Sequence, residues 1–298
     1  MAKLVAECRF NDPADRQDGA VAHLSRLVRM FDGTVVSRVR RAPRSEPVRC
    51  RAERQPDRIF GNMQRLSARQ VLEPRRNVSG GSGLISFYYG SGSPFAWRVW
   101  LALEHKRLTY DLKEVSFSAG DLKTEAYRRI NPRCKVPAID DDGYTLYESA
   151  AIVEYLDERY AESGAPLFPG DARSRGHIRR LINEADLYFD AASRRLLQAV
   201  LFTKKEDWDE SRIGRSREAV SKELSALEER LSGEYFAGPI SAADFTIYPM
   251  IALLLRMDLR KPDLDVASLV GPKLTAWFQR LESLPMFIKT YPPHWKKQ

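Results

Sequence analysis

The sequence predicts a small α/β unit followed by an all-helical unit, with a basic leader ahead of both. Three observations carry this. Residues 84–160 alternate β-rich runs with helical stretches in the order β-α-β-α-β-β-α. Beyond a Pro- and Gly-containing linker at 162–170, every apolar pattern has the 3.6-residue period of a helix. The charge also changes at residue 84: residues 1–83 hold 17 Lys and Arg against 9 Asp and Glu, which is the whole formal charge of +8, and the rest of the chain is neutral.

These counts exclude several functions. The 298 residues, 43 % hydrophobic and 30 % charged, are enough for two cores. The longest apolar run, 248–255, is far short of the roughly 20 residues that cross a bilayer. With a neutral body, a whole-protein nucleic-acid reading, which needs a basic face on a folded domain, loses its main support. Cys8, Cys50 and Cys134, like His23, His105, His177 and His294, are too scattered for a disulfide framework or a metal site. That cysteine usage fits a reducing compartment, hence a cytoplasmic location.

The leader, 1–83, is dense in Arg, has one Lys and shows no sustained strand alternation. A short amphipathic stretch runs through Val21, Leu24, Val28 and Phe31, but Glu7, Asp12, Asp15 and Asp18 are acids that targeting peptides avoid. A basic arm for an anionic partner and a disordered leader ending in the flexible joint Gly80–Gly83 are the other readings, with disorder favoured.

The α/β unit, 84–162, opens with a strand over 84–89 that ends at Gly90-Ser91-Gly92. Ser93 and Pro94 read as the N-cap and first position of a helix reaching Lys106. A second strand spans 108–115, and a short helix spans 121–130, stopped by Asn131-Pro132. Strands at 136–139 and 144–147 join through Asp141-Asp142-Gly143, a hairpin signal. A helix over 148–160 closes the unit. The Gly-Ser-Gly run is not a dinucleotide fingerprint, because its third glycine position is Phe95. In the all-helical unit, 171–290, one apolar stripe runs from Leu181 to Ala199 and another from Val220 to Leu231. Ser241 and Asp244 form a capping box, which makes Asp244 structural, and Leu274, Trp277 and Leu281 mark a last helix. The aromatic-rich stretch from Tyr188 to Phe202 reads either as core or as the wall of a substrate pocket.

Four segments, in order and at matching spacing, carry a resemblance: Ser93-Pro94-Phe95, Lys135-Val136-Pro137-Ala138-Ile139, Glu148-Ser149-Ala150-Ala151-Ile152, and Ser241-Ala242-Ala243-Asp244-Phe245. Over about 84–290 the chain resembles the soluble glutathione transferases of the serine type. That resemblance implies a thioredoxin-like N-terminal domain, an all-α C-terminal domain, a homodimer, and no metal or tightly bound cofactor. It implies glutathione as co-substrate and a small electrophile as the second substrate.

By the same resemblance, Ser93 is the catalytic hydroxyl that holds the glutathione thiolate. Spacing alone leaves it equally a plain N-cap. Tyr88 and Tyr89, at the end of the first strand, are rival donors. Pro137 is expected after a cis bond, with the Val136 backbone pairing to the cysteinyl unit of the tripeptide. Lys135, with Lys123 as alternative, would meet its glycine carboxylate. Ser149 would bind the γ-glutamyl carboxylate, with Glu148 near the ammonium group. Trp97-Arg98-Val99 is also similar to the isomerase branch of the family, whose Ser-Ser-Cys run is replaced here by Ser93-Pro94-Phe95. Glutathione-dependent isomerisation or dehalogenation, and a non-catalytic binding module, are therefore the alternatives to conjugation.

Overall fold

The computed structural model describes residues 84–295, so the leader with Cys8, His23, Cys50 and the joint at 80–83 lies outside the described residues. Strand β1 (Ile85–Tyr89) runs parallel to β2 (Tyr110–Glu114) and antiparallel to β3 (Ala138–Asp141), which pairs in turn with β4 (Tyr144–Tyr147). The sheet order is β2-β1-β3-β4. The third strand starts two residues later than the sequence suggests. Pro137 has no N–H to offer a ladder and sits just ahead of the strand. The hairpin turns at Asp142 and Gly143, both at positive φ (54° and 85°), the backbone that a two-residue turn between twisted strands needs.

Alternation in β1 sends Ile85, Phe87 and Tyr89 into the core. Tyr88 points to the other face, where its ring meets Tyr127 edge-on at 6.0 Å. Tyr127 belongs to α2 (Glu125–Ile130). Helix α1 (Pro94–His105) carries Trp100 against Phe87 and Tyr89 and packs on α3 (Ser149–Arg159). Both faces of the sheet are thus covered by helices.

The rest is helical. Helix α4 (Ala172–Glu184) passes through a π-turn (Ala185–Phe189) into α5 (Asp190–Val200). The single stripe expected from Leu181 to Ala199 is thereby broken by one wide turn. The aromatic stretch divides as well: Tyr188 and Phe202 are exposed, while Phe189 is buried. Helix α6 (Glu210–Arg230) follows, and then α7 (Ala242–Leu255), nearly all of it buried and packed against α1. Asp244 closes the capping box of α7. It accepts N–H bonds from Phe236 (3.2 Å), Ser241 (2.9 Å) and the Trp277 indole (2.9 Å), with 0 % exposure. Burial pushes its carboxyl up to about 6 against the pull of these donors. Helix α8 (Pro272–Glu282) is the expected last amphipathic helix. It is followed by α9 (Pro285–Thr290) and a 3-10 turn at Pro293–Trp295, neither of which the periodicity announces.

The linker ties the two halves of this unit together. Asp157 of α3 accepts from the Leu167 N–H at 2.7 Å and pairs with the buried ammonium of Lys106 at 3.5 Å. The Leu167 carbonyl in turn accepts from the Ala242 N–H at the start of α7 (2.9 Å).

Candidate active site

Strand register brings the candidate segments to one end of the sheet. Tyr88 lies opposite Ala138, and Ala138 lies opposite Tyr147. The chain leaving β1, the chain entering β3 and the chain leaving β4 are therefore neighbours. These are the segments that carry Ser93, Val136–Pro137 and Glu148–Ser149. The junction is tight at Gly90: a Cβ there would stand 2.4 Å from the exposed Phe117 ring and 3.0 Å from Val136 Cγ2, so a larger residue has to displace those side chains.

Ser93 is the half-buried N-cap of α1, and its Oγ accepts a bond from the Ala96 N–H at 3.3 Å. That bond uses a lone pair and leaves the hydroxyl proton to be donated elsewhere. The first-turn N–H groups and the helix dipole at the same place favour an anion. The Val136–Pro137 bond is cis, as the sequence suggests. The loop ahead of it is anchored through the Lys135 carbonyl, which accepts from Tyr127 Oη (2.7 Å) and from Asn131 Nδ2 (2.6 Å). The Lys135 side chain is exposed, as is Lys123 on the 3-10 turn Asp121–Lys123 after β2.

Glu148 is exposed and enters α3 at φ 70°, a left-handed backbone unusual for a residue with a side chain. Ser149 behind it is buried. Sequence reasoning missed the residue that holds Ser149. Arg98, 1 % exposed on α1, donates from Nη1 to Ser149 Oγ at 3.1 Å and grips Asp186 of the π-turn with both terminal nitrogens (Nη1 to Oδ2, 3.0 Å). The available signal was a guanidinium set among Trp97, Val99 and Trp100 on an apolar helix face.

The two tyrosines are placed differently from Ser93. Tyr88 packs on Tyr127 on the face away from α1. Tyr89 stacks on Phe87 and meets Trp100 at a tilt, and burial, then the Glu114 charge, raises its phenol above the ordinary value. It shares a narrow crevice with Gly90–Ser93, Trp97, Thr290 and Pro292. A second contact missed from sequence lies at the rim: His294 Nδ1 is 2.7 Å from Ser91 Oγ. Burial, then the nearby Arg256, holds that imidazole below its usual value and so neutral at pH 7. Behind Trp97, whose ring meets Tyr248 and Tyr291 edge-on, a cavity of about 200 Å³ is lined by Tyr248, Glu282, Phe287, Ile288 and Tyr291. Among the described residues, no helix is long and apolar enough to cross a membrane.

Comparison with known proteins agrees with this architecture. Residues 92–159 match the family model of the glutathione S-transferase N-terminal domain, and residues 177–280 match that of the C-terminal domain. Glutathione S-transferase A of Pleuronectes platessa is 30 % identical over 220 residues, covering 71 % of this chain and 92 % of the relative. Probable maleylacetoacetate isomerase 2 of Drosophila melanogaster is 32 % identical over 206 residues, covering 67 % and 84 %. The crystal structure of a glutathione S-transferase from the Antarctic clam Laternula elliptica superimposes with a TM-score of 0.60 at 29 % identity, over 72 % of this chain and 95 % of that one. With the mixed four-stranded sheet, the helical half and these kinships in agreement, the chain belongs to the glutathione S-transferase family and is a glutathione transferase.

Proposed function

We propose that the chain conjugates glutathione to a small electrophilic carbon, with Ser93 as the donor that keeps the bound thiol ionised. One observation carries this: Ser93, at the start of a helix with its proton still to give, shares one end of the sheet with the cis Val136–Pro137 segment and the Ser149 helix start. A free thiol titrates near 8.5, and lowering it by two units needs about 2.7 kcal/mol of preference for the thiolate. One hydrogen bond to a charged acceptor supplies about 1.5–3 kcal/mol, and a helix end adds about 0.3–1 kcal/mol. The magnitudes suffice without a further base.

In this reading the Val136 backbone pairs with the cysteinyl unit as an added strand would. Ser149 and the N-terminus of α3 receive the γ-glutamyl carboxylate, Glu148 faces its ammonium, and Lys135, or else Lys123, meets the glycine carboxylate. The thiol gives its proton to solvent. The thiolate then forms the carbon–sulfur bond, and the leaving group departs with the displaced electron pair, as halide from an aryl halide. The enzyme works as a cytoplasmic homodimer, with glutathione as co-substrate and no tightly bound cofactor.

Ser93→Ala lowers turnover of an aryl halide by at least about tenfold while glutathione still binds, as loss of one charged hydrogen bond requires. Unchanged turnover transfers the role to Tyr88 or Tyr89. The Drosophila relative's name and the Trp97-Arg98-Val99 segment favour a second reading on the same thiolate, isomerisation of a maleylacetoacetate-type substrate. The products separate the two: conjugation consumes glutathione, whereas isomerisation returns it.

A further inference from the structure

We infer that residues 290–295 clasp the loop that carries Ser93, and that His294 is a positioning residue for the Ser93 hydroxyl. The inference rests on Ser93 being the thiolate donor. The loop from Gly90 to Ser93 closes on itself through one turn bond, Ser93 N–H to the Gly90 carbonyl at 3.0 Å. Its outer side is held by the far end of the chain. His294 Nδ1 bonds Ser91 Oγ at 2.7 Å, across 203 residues of sequence.

Gly92, at φ 84°, leaves room for the clasp. A Cβ there would stand 2.8 Å from His294 Cε1 and 3.3 Å from Trp295 Nε1, so these rings lie directly on the loop backbone. One turn further along, the Trp97 indole donates to Thr290 Oγ1 at 2.8 Å, a buried bond, and Thr290 Oγ1 is itself fixed by donating to the Met286 carbonyl. Trp295 completes the set: its ring meets Trp97 edge-on at 5.6 Å and carries the Arg256 guanidinium at 4.4 Å.

The loop spans only the three residues between a strand end and a helix cap, so any rotation at Ser91 or Gly92 moves Ser93 Oγ. Displacing a catalytic group by about 1 Å costs on the order of a hundredfold in rate. The γ-glutamyl end of the tripeptide is gripped elsewhere, at Ser149. Loosening the clasp therefore weakens the hold on the thiolate rather than the affinity for glutathione.

The test uses the full chain with His294→Ala, Ser91→Ala, the double variant and His294→Asn, whose amide reaches the Nδ1 position. The bound thiolate is titrated by ultraviolet difference spectroscopy, and kcat and KM are measured with an aryl halide. His294→Ala and Ser91→Ala are each expected to raise the bound thiol's pKa by about 0.7 unit and so lower kcat at pH 7 about twofold, with the glutathione Kd within about twofold. The double variant should be no worse than either single one, and His294→Asn should recover most of the loss. Unshifted thiol pKa and kcat in His294→Ala, or additive losses in the double variant, overturn the clasp. Ser93→Ala measured in parallel separates the premises. If it leaves the thiol pKa unchanged, the Ser93 assignment fails. If it shifts that pKa while His294→Ala does not, the clasp alone fails.

Discussion

Arg98 decides how Ser149 presents its proton. The guanidinium bond occupies a lone pair on Ser149 Oγ, so the O–H is left to point away from Arg98. Ser149→Ala removes that donor and exposes nothing new to Arg98, whose Asp186 fork remains. The expected outcome by calorimetry is a glutathione Kd raised about 10-fold, as loss of a hydrogen bond to a charged group implies, with the bound thiol's pKa little changed. The placement of Ser93, Pro137 and Ser149 was legible in the sequence because it is local: a helix cap, an X-Pro bond, a helix start. Arg98 and His294 were not, because their partners lie 88 and 203 residues away and no periodicity encodes such a meeting.

Two helices carry predictions of their own. Asp244 gathers two backbone N–H groups and the Trp277 indole where no water reaches. Asp244→Ala strands three buried donors, and at about 1–3 kcal/mol each with partial relaxation the expected loss is about 3–5 kcal/mol by urea denaturation, with chemistry per folded molecule unchanged. At the last turn of α1, His105 lies edge-on to Phe245 at 5.1 Å, and burial holds its imidazole below the ordinary value. The unfolded chain then takes up that proton first on acidification. This contribution to stability is present above the unfolded pKa of about 6.5 and is lost as pH falls below it. The melting temperature of His105→Phe should accordingly drop less between pH 7 and pH 5 than that of the parent chain. Most elements were readable from caps and periods. The π-turn was not, since its apolar residues still satisfy a helical stripe, and neither was α9, a six-residue piece too short to show a period.

For the whole molecule, α1 packs against α3 of the sheet half and α7 of the helical half, and Asp157 fastens the linker between them. The order of strands and helices was visible in the sequence because turn residues punctuate it. The return of the C-terminal residues to the first strand was not, because it depends on how α8 and α9 pack. Every residue given a role in binding, positioning or chemistry lies within 88–295, and the family models match from residue 92. Removing residues 1–82 should therefore leave kcat and KM for glutathione within about twofold, measured on the purified truncated chain beside the full one. The Arg98 fork has one more consequence. It joins a residue that begins the third helix to one in a wide turn of the other half, so the two halves are not interchangeable parts. A chimera that takes its helical half from another member of the family has to bring a carboxylate to position 186, or it leaves a buried cation without a counter-ion beside Ser149.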